Sequence, residues 1–173
     1  MSALLVKAVA AALAETPLMN AKYAEGAVVY NADVNVAQAV ALEGGLITPT
    51  LKNADRRDLA DLSAAWKDLV ARARAGALTP DEYQSGTFTI SNLGMMDVEQ
   101  FDAILPPGQG AILAVASSKN VAVPMAGAAL GVGLRKEMTV TVTCDHRIIS
   151  GADAATFLAD FAAAVESPAR LAK

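Results

Sequence analysis

Histidine, cysteine and tryptophan each occur once in the 173 residues, and Phe, Trp and Tyr together make up 5%. A lone cysteine closes no internal disulfide, which suits a reducing compartment. One histidine and one cysteine, with no acids at ligand spacing, do not make a zinc site, so no metal is expected. No apolar run reaches the roughly 18 residues of a membrane span, so the chain reads as soluble with no membrane partner. Basic charge is scarce too. Lys and Arg number 14 against 18 Asp and Glu, a net charge of −4, which disfavours a nucleic-acid backbone as partner. The clusters Arg56-Arg57 and Arg72-Ala73-Arg74 therefore read as solvated helix faces. There is no P-loop, and Gly131-Val132-Gly133 lacks the rest of a dinucleotide fingerprint. No repeat, low-complexity tract or linker divides the chain, so residues 1–173 read as one domain.

What the chain has in quantity is small apolar residues. It is 54% hydrophobic, and with so few aromatics the core must be packed from Ala, Val and Leu. Met1–Leu13 places Leu4, Leu5, Ala8 and Ala12 at helical spacing without a basic region ahead of them, which predicts a core helix rather than a signal peptide. Thr16-Pro17 ends it. Ala27–Tyr30 and Val34–Leu42 read as strands, then Glu43-Gly44-Gly45 turns the chain into Leu46–Leu51. A helix is predicted over Asp58–Ala75, with Leu59, Leu62, Trp66, Leu69, Val70 and Ala73 on one stripe and Gly76 as its stop. Thr79-Pro80-Asp81-Glu82 starts a second, short helix with Thr as N-cap, Pro at the first position and Glu at the third. Thr87–Asn92 and Ala111–Ala116 read as strands flanking an irregular Pro106–Gly110 loop, and Leu130–Leu134 with Glu137–Asp145 as a hairpin. A C-terminal helix, limited by Pro168, completes an α/β fold whose hairpin-like connections make the sheet mixed.

The single histidine sits where this last strand meets the last helix. Thr139, Thr141, Thr143 and Asp145 alternate with Val140, Val142, Cys144 and His146, which puts His146 at the strand end on the apolar face. Ala154, Leu158, Phe161 and Val165 then resume a helical period, linked to the strand by Arg147–Gly151. Near a helix N-terminus the dipole keeps an imidazole neutral and able to accept a proton. A core histidine satisfied by a backbone carbonyl fits the same pattern. Cys144 and His146 share a face, but side chains at i and i+2 run parallel, and a buried strand cysteine is ordinarily inert.

The segment Asp145–Phe161, DHRIISGADAATFLADF, resembles the active-site segment of the dihydrolipoamide acyltransferases, the E2 cores of 2-oxo acid dehydrogenase complexes, whose pattern is His-Arg-x-x-Asp-Gly. GGLITPTLKNAD at 44–55, SGTFTISNLGMM at 85–96 and ILPPGQGAILAVASSK at 104–119 resemble the same family in the same order. The resemblance covers most of the chain. It departs at Ser150, where the pattern has Asp; plastid and cyanobacterial chains also lack the acid there. The resemblance implies the chloramphenicol acetyltransferase-like fold, here without the family's N-terminal segment and without lipoyl and subunit-binding domains.

It implies a chemistry as well. An E2 core moves an acyl group between the thiol of a lipoyl arm and the thiol of coenzyme A. Thiols with pKa near 8.5 are mostly protonated at neutral pH, so attack on a thioester needs a general base, the role implied for His146. Ser91 matches the family serine that donates to the tetrahedral oxyanion, although a serine closing a strand end reads the same way. Ser150 stands where the family acid holds the site's geometry, and it also suits the N-cap of the last helix. Ser118 and Lys119 fall where a loop of the family approaches coenzyme A.

In the family His and Ser come from different subunits of a trimer. The implied partners are therefore a homotrimer building a larger core, a lipoyl domain, and the E1 and E3 components reached through absent domains. Acetyl is the expected acyl group, as in a pyruvate dehydrogenase complex. Succinyl or branched-chain groups stay open, as does an E2-like structural subunit without activity. The lineage implies the chloroplast stroma, with bacterial cytoplasm or mitochondrial matrix as alternatives.

Overall fold

A computed structural model describes residues 1–124 and 131–167, together with 169 and 171. The predicted hairpin start at Leu130 and the helix stop at Pro168 lie outside the described residues. The chain begins with α1 (Ser2–Glu15) and a short 3₁₀ turn, then β1 (Ala21–Ala24) and β2 (Ala27–Tyr30). Four short strands follow, β3 (Val36–Gln38), β4 (Val40–Leu42), β5 (Gly45–Ile47) and β6 (Thr50–Leu51). Next are α2 (Leu59–Arg74), α3 (Pro80–Gln84) and β7 (Phe88–Asn92). The long strands β8 (Ala111–Pro124) and β9 (Val132–Cys144) lead to α4 (Gly151–Glu166).

The main sheet has five strands in the order β6-β3-β7-β8-β9. β3, β7 and β8 run parallel, while β6 and β9 pair antiparallel at the two edges, so the sheet is mixed as expected. β1 with β2 and β4 with β5 form separate two-stranded hairpins.

α1 is apolar on every side because it is buried on every side, with Leu5, Val6, Val9, Ala12 and Leu13 all in the core. Fully burying a side chain such as Leu or Val contributes about 1.5–3 kcal/mol, so this helix is a main source of the fold's stability. Its one basic residue, Lys7, is 7% exposed, and its ammonium donates to the carbonyls of Asp55 at 2.9 Å and Arg57 at 2.7 Å. These bonds tie α1 to the loop that leads into α2. α4 packs on α1 through Phe157, Phe161 and Ala164, and Phe157 stacks at a tilt on Phe88 of β7, centroids 5.3 Å apart. The predicted stripe of Ala154, Leu158 and Val165 is the half-buried margin of that face.

The helix signals act as read. Asp58 caps α2 by accepting the N–H of Asp61 at 2.8 Å, and Gly76 ends it at φ +66°. Thr79 and Glu82 form the capping box of α3.

The strands differ from expectation in five places. Leu130–Leu134 and Glu137–Asp145 are not the two arms of a hairpin: over the described residues Val132–Cys144 is one continuous strand, β9, and its antiparallel partner is β8. Val34–Leu42 is not one strand: β3 lies in the main sheet and β4 in a side hairpin, with Ala39 between them donating to Ile90. Leu46–Leu51 is split at Pro49, which has no N–H for a ladder. β1 was unread because its turn is Glu25-Gly26, both at positive φ (51° and 81°), the geometry of a type I′ hairpin usually carried by Asn-Gly. β8 runs well beyond Ala116 to Pro124, since β9 supplies it with partners to the end, across a register shift between Val115 and Ser118.

Candidate active site

The position of His146 follows from where the last ladder stops. Cys144 pairs with Ala111, and the next backbone N–H, that of Asp145, donates to the Gly110 carbonyl at 2.8 Å. The chain then turns, with Ile148 and Ile149 both donating to the Asp145 carbonyl at 3.1 and 3.0 Å. His146 is therefore in a turn and exposed, not on the apolar face of the strand as the alternation implied. This also removes the core-histidine reading. The residue that reaches the core from this turn is Ile149, 1% exposed.

Both neighbours of His146 are held. Arg147 clasps Asp145 through Nε to Oδ1 at 2.9 Å and Nη2 to Oδ2 at 2.6 Å, and its backbone N–H donates to Oδ1 at 3.1 Å. The guanidinium's hydrogen bonds hold the Asp145 carboxyl below its usual range, and the carboxylate in turn raises Arg147. The guanidinium also lies over the ring of Tyr23, with Cζ 4.1 Å from the ring centroid. Neither Tyr23 nor this clasp was singled out from sequence. The Asp-x-Arg spacing around the lone histidine is a signal from which the clasp could have been read, whereas Tyr23 is brought in from a distant hairpin.

Ser150 is the N-cap of α4. Its Oγ accepts the Asp153 N–H at 3.3 Å and donates to the Asp153 carboxylate at 2.6 Å, while its own N–H donates to that carboxylate at 2.9 Å. This reciprocal pair holds Asp153 below the ordinary carboxylate range. The cap of α4 is thus four residues past His146 and its first helical residue, Gly151, five.

Ser91 is half-buried on β7, where it pairs with Ala114, which in turn pairs with Thr141. It does not close the strand end; that role falls to Asn92, whose Oδ1 accepts the Gly94 N–H at 2.8 Å. Within one chain Ser91 and His146 are not brought together. Two strand spacings separate them by about 10 Å across the sheet, and Thr141 to Cys144 adds about 10 Å along it before the turn begins. Ser118 and Lys119 lie at the Ser91 end. The expectation of a strand-end loop is corrected here: both are exposed residues inside β8 at its register shift, and Lys119 Nζ lies 3.5 Å from Glu99.

The remaining candidates fall away on their surroundings. Cys144 is half-buried, and burial pushes its thiol up to about 11, so it is protonated at neutral pH and offers no thiolate nucleophile beside His146. Among the described residues no three His, Cys, Asp or Glu side chains gather at metal-binding distance. Among them, too, no helix is long and apolar enough to cross a membrane. Arg57 and Arg72 are committed to ion pairs with Asp61, Asp68 and Glu82. A polar cleft of about 460 Å³ opens beside Gln109, at the His146 end of the sheet, lined also by Lys22, Tyr83, Gly86 and Thr89.

This geometry has counterparts. The family described as 2-oxoacid dehydrogenases acyltransferase (catalytic domain) matches residues 1–173. The chain is 53% identical over 169 residues to the chloroplastic dihydrolipoyllysine-residue acetyltransferase component 5 of the pyruvate dehydrogenase complex from Arabidopsis thaliana. That match covers 97% of this chain but only 36% of the relative, so the chain spans about a third of that protein's length. Among solved structures, the dihydrolipoamide acetyltransferase of Azotobacter vinelandii superposes with a TM-score of 0.91 at 31% identity, covering 98% of this chain and 70% of that one. The work on that enzyme concerns the catalytic role of a serine, a histidine and an asparagine, the asparagine four residues after the histidine. Chloramphenicol acetyltransferase shares the fold at 14% identity, with a TM-score of 0.56 over 92% of this chain and 75% of that one.

Proposed function

The chain belongs to the family of 2-oxoacid dehydrogenase acyltransferase catalytic domains, and from that premise we propose that it transfers acetyl groups between the dihydrolipoamide thiol of a lipoyl arm and coenzyme A, as the core of a pyruvate dehydrogenase complex. The observation that carries this reading is the sole histidine, exposed on a turn whose two flanking side chains are locked together. His146 takes the proton of the coenzyme A thiol as the sulfur attacks the carbonyl carbon of the acetyl-dihydrolipoyl thioester. The resulting oxyanion accepts a hydrogen bond from Ser91 of a neighbouring subunit. Collapse breaks the bond to the lipoyl sulfur, which leaves with the proton held by His146.

Ser150 has the spacing from His146 that the asparagine has in the Azotobacter enzyme. Its part is to fix the start of α4, and so the turn, rather than to react. Ser118 and Lys119 belong to the coenzyme A side, at the Ser91 end, where a lysine ammonium attracts phosphate. The distance between Ser91 and His146 in one chain favours a homotrimer whose sites form between subunits and whose copies build a larger core. The lipoyl arm, E1 and E3 are engaged through domains outside residues 1–173, and the chloroplastic relative favours the plastid, in its stroma. The test is a transfer assay from acetyl-, succinyl- and isobutyryl-CoA to dihydrolipoamide. Preference for acetyl-CoA is expected; no transfer with any donor would leave a structural core subunit.

A further inference from the structure

The β1–β2 hairpin touches the turn of His146 at two points. At the first, the Ala21 carbonyl oxygen faces Gly110 so closely that a Cβ on that glycine would lie 2.2 Å from it. The Ile149 side chain closes on the same glycine from another side, and the Gly110 carbonyl accepts the Asp145 N–H. The hairpin backbone is thereby fixed against the base of the turn. At the second point, two residues further along β1, the Tyr23 ring lies against the Arg147 guanidinium.

Arg147 is thus held on one side by a bidentate carboxylate and on another by an aromatic face. The carboxylate alone is a weak restraint. The Arg147 side chain is 64% exposed, and an exposed ion pair permits several rotamers that keep the same partner. A ring whose centroid lies 4.1 Å from Cζ favours the rotamer that keeps the guanidinium over it. Since Asp145 and Arg147 flank His146, freezing their clasp freezes the backbone from which the imidazole projects. We propose that Tyr23 is a positioning residue for His146, acting through Arg147 to hold the imidazole at the angle that proton transfer needs.

This rests on the acyl-transfer reading, and the test separates the two. The chain is assayed with acetyl-CoA and dihydrolipoamide as wild type, Tyr23→Ala and Tyr23→Phe. Tyr23→Ala is expected to lower kcat about two- to five-fold, the range of an exposed cation–aromatic contact, with both KM values unchanged. Tyr23→Phe, which keeps the ring face, restores wild-type kcat. Amide exchange at Ile148 and Ile149, the two N–H groups that close the turn, is expected to quicken in Tyr23→Ala and not in Tyr23→Phe. A kcat unchanged in Tyr23→Ala, an effect confined to KM, or a Phe variant as slow as the Ala variant would each overturn the positioning role. If wild type transfers nothing, the acyl-transfer reading falls, and amide exchange unchanged in Tyr23→Ala would overturn the brace as well.

Discussion

Cys144, the last residue of β9, and His146, in the turn beyond it, differ in everything that decides reactivity. The thiol is half-buried and pushed up to about 11, whereas the imidazole two positions on is in water. Alkylation of Cys144 by iodoacetamide at neutral pH is expected to run about 10²-fold slower than that of a free cysteine of pKa near 8.5, rising until about pH 11. Labelling at the free-thiol rate would mean that the strand end opens to solvent. His146→Ala is expected to cost about 10²–10⁴ in kcat while the melting curve stays where it was, because an exposed turn residue packs against little. Turnover near wild type in that variant would remove the base from the mechanism. His146 was legible because it is the sole imidazole in the chain. Its exposure was not, since that depends on the ladder ending opposite Ala111, a pairing between residues far apart in sequence. Tyr23 was illegible for the same reason.

The elements most readable from sequence are those whose signals are local. α2 and α3 carry their own punctuation in Asp58, Gly76, Thr79 and Glu82, and they form where those residues say. β8 was cut short because nothing near Ala116 says that β9 will pair with it as far as Pro124. Ser150 is an element-scale residue on this view. Ser150→Ala should destabilise by about 1 kcal/mol, a fall in Tm of about 2–4 °C, while Ser150→Asn, an equally good cap, should leave Tm in place. Equal Tm values in all three proteins would show that the cap contributes nothing. A second element-scale prediction concerns acid. Glu82 joins α3 to α2 through two hydrogen bonds from Arg72, at 2.6 and 2.8 Å, which hold its carboxyl at about 2, with the Thr79 N–H adding to the effect. A depressed native pKa stabilises fully above the ordinary value near 4.3 and is lost as the pH falls toward 2. The Tm gap between wild type and Glu82→Gln should therefore be open at pH 6 and close between about pH 4 and 2; a gap independent of pH would mean that the pair is not what Gln removes.

For the whole molecule, the separation of Ser91 from His146 makes a claim about stoichiometry. If each site draws one residue from each of two subunits, His146→Ala and Ser91→Ala chains, both inactive alone, should regain activity when co-expressed. Some interfaces then carry both intact residues and others neither. The measurement is acetyl transfer by oligomers whose mixing is verified by mass spectrometry, and activity no greater than the sum of the separate variants would mean that each site is built within one chain. The packing of α1 on α4 bears on how the chain comes to exist at all. These two helices lie more than a hundred residues apart in sequence, yet each covers the other. At about 5–20 residues per second on a ribosome, α1 is made roughly seven to thirty seconds before its cover is synthesised. Through that interval Leu5, Val6, Val9 and Leu13 have no finished core to enter, so an apolar helix waits uncovered on the ribosome until α4 has been made.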